Sequence, residues 1–91
     1  MNKDEFEYYV EKVKNLIVSL YNEDKIDSTK LCLFMNKHEM PCGFHRAGIV
    51  YDRLIEDGFL IRDTINLGAF VNKEYKLFKC DHENRRYKKA R

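Results

Sequence analysis

From residue 4 to residue 22, DEFEYYVEKVKNLIVSLYN, apolar side chains recur every three or four positions at Phe6, Tyr9, Val10, Val13, Leu16, Ile17 and Leu20. That spacing predicts a long first helix with one apolar stripe. Asp4, Glu5 and Glu7 stand in its first turn, where carboxylates complement the positive end of the helix dipole. The stripe is expected to pack on the rest of the domain. Its regular spacing would also serve a dimer seam, although fewer than about three heptads are present.

The polar stretch NEDKID breaks the pattern. Ser28 or Asp27 then offers an N-cap for a second helix, roughly Thr29 to Lys37, with Leu31, Phe34 and Met35 inward. Leu33 lies off that face, which predicts burial on more than one side. Pro41 forbids helix through Met40 and Gly43 eases a sharp turn, so HEMPCG joins two helices. A third helix is expected from Phe44 to Asp57. At about 100° per residue, Phe44, Ala47, Val50, Tyr51, Leu54 and Ile55 share an inner side. His45, Ile49, Asp52, Arg53 and Glu56 fall outside, with Arg46 flanking. Gly58 suits a left-handed cap.

After that cap FLIRDTI turns β-like, Asn66-Leu67-Gly68 marks a turn, and EYKLFK can return as a second strand. The return can also begin at Ala69-Phe70-Val71. Two helices joined by a short glycine-containing turn and followed by a hairpin predict a mainly α domain with a small β-hairpin, the winged helix-turn-helix. The expected limits are residues 1–80 for the domain and 81–91 for a basic C-terminal tail.

Composition narrows the function classes. Ninety-one residues hold one core. At 44% hydrophobic and 35% charged, the chain is too apolar for disorder. Its apolar runs are too short to span a bilayer, and the acidic start MNKDEFEYY has no signal core, so no membrane partner and a cytoplasmic location are expected. Cys32, Cys42 and Cys80 are an odd number at unrelated spacings, which points to reduced thiols. With no CxxC or HxxxH pair beside His38, His45 and His82, neither a metal site nor another cofactor is expected. No phosphate loop, GxSxG or paired carboxylate arrangement supports catalysis, and the chain is not expected to be an enzyme.

The formal net charge of +2 hides an asymmetry. The last seven residues, RRYKKAR, carry five basic groups; without them 12 basic residues face 15 acidic ones over residues 1–84, a net of −3. Such a tail suits a polyanion, or simply keeps the terminus solvated.

In a winged helix-turn-helix the third helix enters the DNA major groove with its N-terminal residues at base edges. His45 and Arg46 hold that end, and an arginine can bond a guanine bidentately. Lys37, His38, Arg53, Arg62, Lys73 and the tail with Arg85 and Arg86 are candidates for phosphate. Asp52, Glu56 and Asp57 oppose close approach to phosphate. Ile49 would touch a thymine methyl or a protein partner.

Gly43-Phe44-His45-Arg46-Ala47 followed by VYDRLIEDGFL resembles the Gly-Tyr-Asn-Arg-Ala segment and following "LI-E-x-x-E-x-x-G" pattern of the FtsK/SpoIIIE gamma domain, the winged-helix module of bacterial DNA translocases. The likeness runs from Asp4 to Leu60, about two thirds of the chain. It implies recognition of short oriented sequences in double-stranded DNA, with recombination or motor proteins as further partners. By position, Phe44 stands for the family's aromatic residue, His45 for its Asn and Arg46 for its Arg. Ile49 stands where the family has an outward Arg, and NKHEMPC replaces its arginine-rich segment. Since these 91 residues have no room for a motor domain, either a free-standing relative or a piece of a larger protein is expected.

The rival expectation is a protein-interaction module on the same scaffold. A continuous positive face on the third helix would favour DNA. An apolar patch around Ile49 with acidic flanks would favour a protein.

Overall fold

The computed structural model describes residues 2–75 in full and, beyond them, the backbone of two short strands at 79–81 and 86–88. The first helix, α1, runs Lys3–Leu20. The Asn2 side chain caps it by accepting from the Glu5 backbone N–H at 2.8 Å, and Tyr21 ends it in an extended conformation. A two-residue strand, β1 (Lys25–Ile26), then precedes α2 (Ser28–Lys37). Asp27 caps α2 by accepting from the Lys30 N–H.

After the turn comes α3 (Phe44–Glu56). It closes with the Phe59 N–H donating to the Leu54 carbonyl and the Gly58 N–H to that of Ile55, with Gly58 at φ 83°. This is the left-handed cap its glycine predicts.

β2 (Leu60–Arg62) and β3 (Ala69–Val71) form an antiparallel hairpin in which Ile61 faces Phe70. β1 pairs on the other side of β3, with Ile26 opposite Ala69, so the sheet order is β1-β3-β2. Gly68, at φ 107°, turns the chain into β3; a Cβ there would also meet the Ile26 carbonyl oxygen at 3.5 Å. Of the two return strands the pattern allows, the earlier one forms. β4 (Lys79–Asp81) and β5 (Arg86–Lys88) pair separately. The boundary expected between residues 80 and 81 falls within β4.

One core joins the three helices and the sheet: Val10, Val13 and Ile17 of α1, Leu31 and Met35 of α2, Val50 and Leu54 of α3, with Ile26, Phe59, Leu60 and Ala69. Burying each larger side chain contributes roughly 1.5–3 kcal/mol.

Four expectations are corrected. NEDKID contains β1, whose buried Ile26 completes the sheet. Leu33 is 63% exposed, because only one face of α2 meets the core. Leu20 is exposed, since α1 outruns the core at its last turn. Phe44, expected inward, is 66% exposed, because core packing of α3 begins one residue short of a turn later, at Ala47. Among the described residues no helix is long and apolar enough to cross a membrane.

Candidate functional site

α3 is held rigidly from below. Ala47, Val50 and Leu54 are each fully buried, and their spacing rotates the opposite face to solvent. That face carries His45 at its start, Ile49 at its middle, and Asp52 and Glu56 toward its end, with Phe44 exposed on a flank of the first turn. Its first half therefore offers one histidine and one aliphatic residue, and its second half is acidic.

The two arginines of α3 lie on the flank facing α1. The Arg46 guanidinium stands 6.0 Å from the centre of the Tyr9 ring, and the residue stays exposed. Arg53 is engaged on three sides. Its Nη2 donates to Glu7 at 2.5 Å, its Nε donates to Asp57 at 2.8 Å, and its guanidinium lies over Phe6. The bonds to Glu7 and then Asp57 push its already high pKa further up. Charge-assisted pairs of this kind occupy the donors that a phosphate would need.

Asp57 connects this flank to the interior, since its other oxygen accepts from Lys14 Nζ at 2.8 Å. Lys14 is 1% exposed, and it also reaches Glu11 at 2.7 Å and the Tyr75 hydroxyl at 2.7 Å. Burial alone would lower the Lys14 pKa, but the bonds it donates to Asp57, Glu11 and Tyr75 prevail and raise it. Burial alone would raise the Asp57 carboxyl; the hydrogen bonds from Lys14 and Arg53 hold it below its ordinary value. An ionic chain Glu7–Arg53–Asp57–Lys14–Glu11 thus joins α1 to the end of α3. Its members read as surface charges in sequence, and the α1 partners are too far along the chain for spacing to reveal.

The other candidates are distributed around α3. Lys37 is exposed at the end of α2, and the His38 ring packs on Phe34 with centroids 4.5 Å apart. Arg62 is exposed on β2 and shares a shallow depression with Ser28, Thr29 and Tyr51. Lys73 is exposed after β3. Arg85 and the side chain of Arg86 lie outside the described residues, as does the rest of the tail.

The structure therefore leaves Phe44, His45, Arg46 and Ile49 exposed on the N-terminal half of α3, with Arg46 on the flank toward α1. It draws Arg53 away into the ion network and leaves Lys37 and Arg62 at separate margins. Sequence reasoning overlooked the hairpin tip, where Ile65 and Leu67 are 88% and 93% exposed. Two aliphatic residues inside a turn were the available signal.

No family model matches the chain, and neither a curated protein nor a solved structure matches it significantly.

Proposed function

We propose that this chain is a winged helix-turn-helix domain that binds double-stranded DNA, with the N-terminal half of α3 in the major groove. The observation that carries the reading is the order α1-β1-α2-α3-β2-β3 with sheet order β1-β3-β2. It supports a hairpin wing beside a helix whose first half is open, as groove entry requires. In this reading His45 and Arg46 meet base edges, Lys37 and Arg62 meet phosphate, and Phe44 and Ile49 make apolar contacts. The likeness to the FtsK/SpoIIIE gamma domain belongs to the same proposal, with its bacterial cytoplasmic setting and its recombination or motor partners. A dimer along α1 would have to use Val18 and Leu20, because Val10, Val13 and Ile17 are consumed by the core.

A second reading is favoured by a specific observation. Phe44 and Ile49 are exposed beside Asp52 and Glu56, while Arg53 is already paired. Such a face also fits a protein partner.

A salt titration on random-sequence duplex DNA separates the two, run on the full chain and on a chain ending at Asn84. Binding by the shorter chain that weakens as salt rises supports the DNA reading. Arg46→Ala should then weaken binding by about 1–3 kcal/mol and blunt sequence preference. Binding that vanishes with the tail would remove the folded domain from DNA recognition and leave the protein reading.

A further inference from the structure

Three sulfur atoms converge where α2 passes into the turn before α3. Cys32 and Met35, three residues apart on one face of α2, are 4% and 0% exposed. Cys42, half-buried, comes back over them from the turn. Its Sγ lies 4.0 Å from Met35 Sδ, and its carbonyl accepts from the Cys32 thiol at 3.5 Å, which seats the Cys32 sulfur against the same residue. A first-row metal–thiolate bond is about 2.3 Å long, so three sulfurs in a plane around one metal stand about 4 Å apart. The Cys42–Met35 separation already has that value.

We infer that Cys32, Met35 and Cys42 form a three-sulfur site for a soft monovalent metal, Cu(I). Thiolate and thioether donors select Cu(I) over harder ions. Zinc would need a fourth donor, and among the described residues no group of three or more His, Cys, Asp or Glu is gathered to complete its shell.

Asn36 braces both cysteines. Asn36 Nδ2 is 3.5 Å from Cys32 Sγ, and it donates to the Cys32 and Cys42 carbonyls at 2.7 and 3.0 Å. The Asn36 carbonyl in turn accepts from the Cys42 N–H. One side chain thereby holds both cysteines in place, as outer partners of metal ligands do. Arg46 supplies a neighbouring positive charge. Cys42 gives the metal its route in.

Binding changes no oxidation state. Each thiol releases its proton to solvent as its metal–sulfur bond forms, so one Cu(I) displaces two protons.

The test is an anaerobic titration of the full chain with Cu(I) against a colorimetric Cu(I) chelator, in the natural sequence and in Cys80→Ser. Both should retain one equivalent, with X-ray absorption fitted by three sulfurs at about 2.3 Å. Cys42→Ser should lose it. Met35→Leu keeps the core volume, and it should leave two sulfurs and at least the roughly tenfold loss seen when even an outer partner is removed. Failure of the natural chain to hold Cu(I) against the chelator would overturn the site. So would retention that follows Cys80, or that is unchanged in folded Met35→Leu.

Discussion

Arg46 and Arg53 stand seven residues apart on the same flank of α3, two turns and about 10 Å along one helix. Their surroundings differ completely. Arg53 is bonded to Glu7 and Asp57, and through Asp57 it is tied to a lysine that is almost fully buried. Arg46 rests over one aromatic ring and remains exposed. The C-terminal half of α3 is thus committed to holding the helix on α1, and the N-terminal half is left to meet something outside. Residue type does not assign these roles; the facing residues of α1 do.

The comparison breaks most visibly at Lys14. Its ammonium offsets Glu11 and Asp57 in a site with little water, so Lys14→Ala leaves the buried Glu11 carboxylate without a cation and Asp57 with Arg53 alone. Breaking a buried pair in this way costs about 3–5 kcal/mol, and the part-exposed Asp57 places the expected loss at the lower end. Urea unfolding followed by circular dichroism should show a much lower midpoint. An unchanged midpoint would mean that the network contributes nothing to the fold.

Acid tests the same half of α3 without mutation. The folded Asp57 pKa lies below its ordinary value of 3.8. Its contribution is therefore fully present above the unfolded value and is lost as pH falls through the lower folded value. Unfolding midpoints measured from pH 6 downward should hold near neutrality and drop below about pH 4. In Asp57→Asn that part of the slope should be missing. A slope identical to that of the natural chain would assign the acid sensitivity to other carboxylates.

How much of this was legible in the sequence depends on how far apart the partners lie. The three helices follow from local periodicity, and their limits depart from it by no more than two residues at either end. Val10, Val13, Ile17, Val50 and Leu54 are core residues as the stripes predict. The stripe edges are less informative: Leu20, Leu33 and Phe44 have the right composition, but no neighbour covers them. β1 is two residues long, too short for any alternation to register.

Lys14 is the hardest case. A lysine inside an amphipathic helix reads as solvated, and what buries it is Asp57, 43 positions later, and Tyr75, 61 positions later. The sulfur cluster was hidden for a related reason. Metal-site spacing rules count cysteine and histidine, whereas here a thioether fills the third place. The candidate face was half legible: the outward position of His45 and Ile49 follows from helical geometry, but the capture of Arg53 by Glu7 does not.

Removing Arg53 should have a smaller effect than removing Lys14, because its side chain is 28% exposed and water can replace part of what is lost. Arg53→Ala is expected to cost about 1 kcal/mol, toward the upper limit for partly solvated ion pairs. The double variant with Glu7→Ala should cost less than the sum of the single variants, since the two side chains share one interaction. Strict additivity in urea unfolding would show that the pair is not coupled.

Arg46→Ala should change stability least, within about 0.5 kcal/mol, as for exposed surface positions. Its ring contact with Tyr9 at 6.0 Å sits at the outer edge of the useful range. This small effect is the sharpest test of the contrast between the two arginines. If Arg46 is free to act outside, its removal leaves the unfolding midpoint in place and lowers DNA affinity, with the largest loss on a preferred sequence. If the midpoint falls as far as it does in Arg53→Ala, both arginines hold α3 on α1. The outward role would then pass to the exposed His45 and Ile49, and that face would have no arginine to offer a base edge.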